Sequence, residues 1–207
     1  MSRPVPCPDL CVALPPRLCG PVEEYVAAWA AGSSWRCWDV RFDKRQKGAH
    51  RFTIADTRGP LSLTVPIVKP ESHRCLWSDI MVSGHGSWWD VHRVALESAY
   101  GRTPYFEFYV DRFMPMLTLG VVERYPRLEQ LAWAWETGIR DILGLGQEAA
   151  PNPDVSLTEL PSIQLESYRQ VRADKLGFIP SLSILDLIFN LGPEAQIYLD
   201  RQARADN

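Results

Sequence analysis

The chain has 207 residues, of which 46% are hydrophobic and 23% are charged, a composition typical of a globular protein. Its net charge of −3 argues against a general nucleic-acid-binding protein, which would need a basic surface. No apolar run approaches the ~18 residues needed to span a bilayer. The first ten residues lack the basic and apolar regions of a secretory signal. A cytoplasmic protein without a membrane span is therefore expected.

Prolines, glycines and the hydrophobic pattern divide the N-terminal half into short strands and a helix. Residues 1–9 contain three prolines and are predicted to form a disordered arm, followed by a single domain at residues 10–207. The predicted elements are strands at 10–14, 35–42, 52–55, 61–67 and 77–82 and a helix at 21–31. A strand, a helix and a strand in succession favour a parallel pair. We expect the remaining strands to pair antiparallel.

The C-terminal half is helical. The predicted elements are helices at 87–100, 104–113 and 126–143, a surface loop at 147–160, a buried helix that Ser183 caps with Asp186, and a helix beginning at Pro193. Ser87 and Asp90 form the same type of predicted cap for the helix at 87–100. We predict an α/β fold, with a mixed β-sheet in the N-terminal half packed by helices from the C-terminal half. An α+β fold is the alternative.

The cysteines and glycines predict neither a metal nor a cofactor. The chain contains five cysteines: Cys7, Cys11, Cys19, Cys37 and Cys75. In a cytoplasmic protein they are expected to be thiols, and no C-x-x-C pair or nearby histidine completes a metal site. The glycine pattern at 144–149 imitates a dinucleotide-binding fingerprint. It follows a predicted helix instead of a strand, so we interpret it as a helix C-cap.

A basic stretch between two predicted strands is a candidate site for an anionic ligand. Its members are Lys44, Arg45, Lys47, His50 and Arg51. Arginine binds pairs of phosphate oxygens, so this stretch suits a nucleotide-sugar diphosphate or a carrier phosphate. The alternative is that these charged side chains are simply exposed to solvent in the segment that leads into the hairpin.

The turn at 84–87, Gly-His-Gly-Ser, follows a predicted strand and opens a predicted helix. Its free amides could hold a phosphate, to which His85 could donate a hydrogen bond. The alternative is a plain turn with a helix cap. One turn further along, His92 is a candidate general base, the alternative being a hydrogen-bonded core residue.

An aromatic and acidic segment is a candidate sugar-binding surface. It contains Tyr105, Phe106, Phe108 and Tyr109 together with Glu107 and Asp111. Aromatic rings and carboxylates bind sugars, but they also pack ordinary amphipathic helices. Asp186 has a similar pair of interpretations, as a helix cap or as a ligand contact.

Three phrases of the chain resemble, in the same order, the WbqC-like family of bacterial proteins. They are HRFTIADTRGPLSLTVPI (50–67), HRVALESAYGRTPYFEFY (92–109) and GFIPSLSILDLIFNLGPEAQIYL (177–199). In the last phrase, Ser181 replaces the family's usual Asn and Leu191 replaces its usual acidic residue. His92 falls where the family pattern has His, and Arg51 matches the Arg of the family's "NR", with His50 in place of the Asn.

The resemblance also bears on two other segments. Gln170 falls on the Gln of the family's "YxQVF" and is expected to face the same cleft as the 177–183 loop, which contains Ser183. The family's "YFPP" phrase has no equivalent in residues 14–25, which read LPPRLCGPVEEY. Loss of its aromatic pair implies altered specificity or reduced activity.

The resemblance implies a cytoplasmic transferase that adds a glycyl-type acyl group to an amino sugar in O-antigen or other surface-polysaccharide biosynthesis. The substrate would be an anionic nucleotide sugar. Arg51 and the 84–87 turn would hold its phosphate, His92 would deprotonate the attacking amine, and the aromatic helix that contains Tyr105 would face the sugar. The alternative is a non-catalytic binding or accessory protein that docks on a partner of glycan assembly. An adenylate-forming or nucleotidyl-transferring fold is a third possibility, although the chain lacks a His-x-Gly-His phrase.

Overall fold

The computed structural model describes residues 11–70, 72, 74–149, 157 and 163–205. The predicted arm at 1–9 and most of the predicted loop at 147–160 lie outside these residues. Within them, the strands form two separate two-stranded sheets instead of one.

The first sheet is the predicted parallel pair. Strands β1 (Cys11–Leu14) and β2 (Ser33–Arg36) pair in parallel, and helix α1 (Val22–Ala31) connects them. The order strand–helix–strand thus predicted the pairing correctly, because a helix is the usual connection between adjacent parallel strands.

Strand β2 is shorter than predicted from the sequence, which extended it from 35 to 42. Pro15 and Pro16 follow β1 directly and have no backbone N–H to donate. The last ladder bond is therefore the one that the Cys37 N–H donates to the Leu14 carbonyl at 2.8 Å. Beyond it, the chain leaves the sheet.

The second sheet is the predicted antiparallel hairpin. Strands β3 (Arg51–Asp56) and β4 (Gly59–Thr64) pair in register from Arg51 opposite Thr64 to Asp56 opposite Gly59. Gly59 has a φ of +122°, a conformation that favours glycine.

The strand predicted at 77–82 is wrong. Trp77–Asp79 form a 3₁₀ turn, in which the Asp79 carboxylate accepts a hydrogen bond from the Leu76 N–H at 3.1 Å. This side chain satisfies the backbone locally, so the segment needs no strand partner. Met81 and Val82 each make a single β-bridge instead.

Seven helices follow in the described residues, and they include the helices predicted at 87–100, 126–143, 184–191 and after Pro193. They are α2 (Trp88–Tyr100), α3 (Phe106–Tyr109), α4 (Val121–Arg124), α5 (Leu128–Leu143), α6 (Ala173–Leu176), α7 (Ile184–Leu191) and α8 (Glu194–Ala205). The predicted helix at 104–113 is α3 followed by 3₁₀ turns. Gly144 ends α5 in the left-handed conformation, which confirms its C-cap interpretation.

The predicted caps are formed only in part. The Ser183 hydroxyl accepts a hydrogen bond from the Leu185 N–H at 3.4 Å. Asp186 does not complete a capping box, because its fully buried carboxylate points to side chains of the core. Ser87 makes no side-chain cap, and its carbonyl accepts from Asp90 and Val91 as in an ordinary first turn.

Helices α5 and α7 supply the centre of the hydrophobic core. Trp135 of α5 stacks on Phe113 with ring centroids 4.9 Å apart, and Phe189 of α7 packs edge-on against the same Phe113. All three rings are buried. The α/β class, with parallel and antiparallel strand pairs packed by helices, is therefore confirmed. Among the described residues, every helix is too short or too polar to cross a membrane.

Candidate functional site

A loop near the C-terminus, Gly177 to Ser183, is bound by backbone hydrogen bonds to two distant segments. We call it the signature loop. The Val22 N–H at the start of α1 donates to the Leu182 carbonyl at 3.1 Å, and the Ile184 N–H donates to Gly20 at 2.9 Å. The Ser183 N–H donates to Thr53 of β3 at 2.8 Å. The start of α1, the hairpin and the start of α7 therefore meet at one place.

A cavity of about 220 Å³ opens where these segments meet, and we call it the anion cleft. It is lined by Arg17, Cys19, Gly20, Pro21, Gly48, Arg51, Phe52, Thr53, Ser181 and Ser183. Two of these side chains, Arg17 and Arg51, are cationic. Helices α1 and α7 begin beside the cleft, at Pro21 and Ser183, and the first N–H of each helix already donates to a backbone carbonyl.

A second cavity of about 360 Å³ adjoins the anion cleft and shares Arg17 and Gly48 with it. Arg45 and Lys47 of the basic stretch also line it. Asp43 neutralises part of this charge, since its carboxylate lies 3.3 Å from Arg45 Nε on the surface. The linings of the two neighbouring cavities together contain four cationic side chains: Arg17, Arg51, Arg45 and Lys47.

Arg17 is held at the junction by an ion pair and by a close approach to backbone. Its Nε donates to Glu24 Oε1 at 2.9 Å, and the side chain remains 37% exposed. A Cβ at Gly48 would lie 1.4 Å from Arg17 Nη1, so a side chain at Gly48 would displace the guanidinium. The absence of a side chain at Gly48 thus leaves the space that the Arg17 guanidinium occupies at the cleft.

The ion pair between Arg17 and Glu24 continues into a buried network of charged side chains. Glu24 also pairs with Arg36 at 2.7 Å, and Arg36 pairs with Glu136 at 2.9 Å. Glu136 accepts from Arg140 Nε at 2.9 Å and from the Tyr25 hydroxyl. Burial alone would raise the pKa of Glu136, but the charges of Arg36 and Arg140 outweigh it and lower this pKa.

Two of the residues predicted from the sequence line the anion cleft. They are Arg51 and Ser183, which lie in different phrases of the chain and are brought together by the backbone bonds of the signature loop. Arg51 Nε donates to the Thr64 hydroxyl at 2.8 Å. Among the described residues, this is the hydrogen bond that orients its guanidinium.

Gln170 and Asp186 lie beneath the signature loop and not in the lining of the cleft. The Gln170 amide accepts from the Ile179 N–H and donates to the Ile179 carbonyl, both at 2.9 Å, as a neighbouring strand would. It also donates to Asp186 Oδ2 at 3.0 Å, and the Tyr168 hydroxyl donates to the same oxygen at 2.6 Å. Burial raises the pKa of Asp186 despite these bonds. Gln170 and Asp186 therefore stabilise the conformation of the signature loop.

His92 lies in the core behind the wall of the cleft. The residue is 3% exposed, and its ring packs edge-on against Phe52, which lines the cleft, and against Trp88. Burial lowers its pKa to about 4, although a hydrogen bond to the Thr64 backbone opposes the shift. His92 is therefore neutral near pH 7, and its catalytic role stays a prediction.

The other four predicted residues lie outside the lining of the anion cleft. His50 hydrogen-bonds the Val65 carbonyl at 2.9 Å, and burial lowers its pKa. Lys44 and His85 are exposed, and the His85 N–H donates to the Ser83 hydroxyl. Tyr105 packs against Gly192, where a Cβ would lie 2.5 Å from its ring. Their binding roles also stay predictions.

Sequence reasoning missed Arg17, Gly48 and Ser181 as members of the cleft. Arg17 follows two prolines in a loop, and no periodic pattern distinguishes it. Ser181 carried a stronger indication, since it replaces an Asn of the family pattern. Its φ is +56°, a conformation that Asn adopts more readily than other non-glycine residues, and its hydroxyl bonds to Glu23 at 2.5 Å.

The described residues form an α/β protein in which separated segments converge on a basic cleft. The model of the WbqC-like protein family matches residues 21–160, more than half of the chain. The chain therefore belongs to the WbqC-like protein family. The matched range contains the phrases at 50–67 and 92–109, and the signature loop lies beyond it. No curated protein and no solved structure matches the chain significantly.

Proposed function

We propose that this protein is a transferase of surface-polysaccharide biosynthesis that binds a nucleotide sugar and acylates its amino group. The observation that carries the proposal is the meeting of Arg17, Arg51 and the signature loop in one cleft. Two guanidinium groups suit a diphosphate, because arginine binds pairs of anionic oxygens. The adjoining cavity, with Arg45 and Lys47, offers room for the rest of the nucleotide.

In the proposed reaction, the amine nitrogen of the sugar attacks the carbonyl carbon of an activated glycyl-type donor. The bond from that carbon to the donor's leaving group breaks, an amide forms and the amine loses a proton. His92 is the candidate acceptor of that proton, and burial keeps it in the neutral form that can accept one. A pKa of about 4 makes it a weak base, so its contribution must be measured directly.

The burial of the His92 imidazole favours a second candidate function. Its imidazole is buried behind Phe52 and not in the lining of the cleft, as expected of a packing residue. A protein with an anion cleft and a purely structural His92 would be a non-catalytic binding or accessory protein of glycan assembly.

The first experiment measures binding by thermal shift with a panel of nucleotide amino sugars, the corresponding nucleoside diphosphates and uncharged nucleosides. We expect a diphosphate-dependent shift that Arg51→Met abolishes. Arg58→Met is the matched control, because it removes an exposed arginine from the opposite end of the same hairpin. A shift that both variants retain, or that no ligand produces, would contradict the proposed cleft.

The second experiment separates the two candidate functions. The nucleotide amino sugar that binds is incubated with a glycyl thioester, and formation of the amide is followed by mass spectrometry. Amide formation that His92→Gln abolishes while ligand binding is kept supports the transferase. Binding without amide formation, together with co-purification of a glycan-assembly protein, supports the accessory function.

A further inference from the structure

A cavity of about 550 Å³ lies apart from the anion cleft and shares no lining residue with it or with the adjoining basic cavity. Its walls include Trp35, Trp38, Tyr125 and Trp133. Trp35 and Trp38 are buried, whereas Trp133 on α5 is 57% exposed. A volume of this size is in the range of ligand pockets, and we call it the tryptophan cavity.

Two carboxylates, Glu129 and Glu148, also line the tryptophan cavity. Glu129 lies on the first turn of α5, four residues before Trp133. Glu148 is held by its neighbours: its Oε1 accepts from the Arg36 N–H at 3.1 Å, and the next residue, Ala149, donates its N–H to the Ser34 carbonyl. Glu148 is therefore held in place, and both carboxylates line the same cavity as the aromatic rings.

The neighbouring arginines neutralise the negative charge of these carboxylates only in part. Burial raises the pKa of Glu148 to about 7, and the negative charge of Glu136 adds to this shift. Arg140 and Arg36 oppose it, but Arg140 Nη2 lies 4.0 Å from Glu148, and the Arg36 guanidinium is bound to Glu24 and Glu136. Burial and the charge of Asp39 likewise raise the pKa of Glu129 against the opposing charge of Arg127.

We infer that the tryptophan cavity binds a small molecule bearing an ammonium group, which the aromatic rings surround and Glu148 and Glu129 neutralise. Aromatic faces attract cations, and the attraction is strongest for tryptophan. A bound cation also compensates the carboxylates that the protein leaves in a poorly solvated place. Arg124 lines the cavity too, but its side chain is exposed and water screens its charge.

The test uses the full chain and two probes, choline and cyclohexylammonium, each beside its uncharged counterpart, 3,3-dimethylbutan-1-ol or cyclohexanol. Binding is followed through the indole N–H resonances of the eight tryptophans. The Trp133 resonance is identified as the one missing from Trp133→Leu, an exposed substitution that should leave the fold intact. We expect a charged probe to shift this resonance at pH 8, and its uncharged counterpart to bind at least tenfold more weakly.

The pH dependence of cation binding provides a second and more specific test. Because the Glu148 pKa of about 7 must fall when a cation binds, affinity should be about tenfold lower at pH 6 than at pH 8. Glu148→Gln should weaken binding at pH 8 and remove this pH dependence. Glu107→Gln, which removes an exposed carboxylate elsewhere, should change neither.

Three results would overturn the inference. They are no shift of the Trp133 resonance with either charged probe, equal binding of charged and uncharged probes, and an unchanged pH dependence in Glu148→Gln. The inference does not rest on the proposed transferase, because Arg51→Met alters the other cleft and should leave choline binding unchanged.

Discussion

Arg51 and His92 both hydrogen-bond to Thr64, the last residue of strand β4. Arg51 Nε donates to its hydroxyl at 2.8 Å, and His92 bonds to its backbone. The guanidinium lines the anion cleft, while the imidazole packs behind Phe52 in the core. The two residues that most favoured a functional site in the sequence are thus joined through one residue, with one facing the cleft and the other supporting its wall.

We expect His92 to make stability depend on pH. Its pKa is about 4 in the folded protein and 6.5 ordinarily, so the unfolded chain binds the proton more readily. The stability that the neutral imidazole contributes to the folded protein is complete above about pH 6.5 and is lost as the pH falls through about 4. Urea unfolding of the wild type should lose up to about 3 kcal/mol more between pH 7 and pH 4 than His92→Gln does.

His50 is the control for that experiment, because burial also lowers its pKa. His50→Gln should flatten the pH dependence in the same direction while leaving the His92 contribution in place. Equal slopes for the wild type and His92→Gln would show that the imidazole at 92 is not buried in its neutral form.

The buried ion-pair network should be costly to break. Glu136→Gln removes the charge that Arg36 and Arg140 share, and we expect it to lower the free energy of unfolding by about 3–5 kcal/mol. Since the folded-state pKa of Glu136 is lowered, its contribution is present above about pH 4.5 and is lost as pH falls through the folded-state value. Urea denaturation at several pH values measures both effects.

A surface pair is the contrast for the buried one. Glu97 pairs with Arg93 at 3.0 Å on exposed turns of α2. Glu97→Gln should leave the free energy of unfolding nearly unchanged, because solvent screens the pair. Equal losses from Glu97→Gln and Glu136→Gln would contradict a buried network.

The conformation of Ser181 predicts an ordered set of stabilities. At a φ of +56°, Asn is tolerated and a β-branched residue is strained. Ser181→Asn should leave the melting temperature nearly unchanged, whereas Ser181→Val should cost about 1–3 kcal/mol. Ser181→Ala separates the effect of the hydrogen bond to Glu23 from that of the backbone. A Val variant as stable as the Ala variant would argue against the left-handed conformation.

Gly48→Ala should weaken anion binding without removing any charge. The new Cβ would occupy the place of Arg17 Nη1, so this half-exposed side chain must move away from the cleft. We expect roughly tenfold weaker binding of inorganic pyrophosphate by isothermal titration, a loss equal to one charge-assisted hydrogen bond. His85→Gln tests the alternative phosphate site in the 84–87 turn. Weakening by His85→Gln and not by Gly48→Ala would place the anion there.

Much of the local structure could be predicted from the sequence. Prolines, glycines and helical spacing predicted the parallel pair, the hairpin and the long helices, because these features act on neighbouring residues, although β2 ends well before the predicted residue 42. Two other predictions failed because a carboxylate has a different partner from the expected one. Asp79 satisfies a turn at the position of a predicted strand, and Asp186 enters the core in place of capping its helix.

The sequence by itself determined the family phrases, the basic stretch and the helix ends, since each is a property of residues close together in the chain. The tertiary structure alone decided that Arg17 and Arg51 share a cleft, that His92 is buried behind it, and that three tryptophans line another cavity. The physical reason is that burial and charge depend on which distant segments pack together. In this chain, a few backbone hydrogen bonds at the signature loop decide where those segments meet.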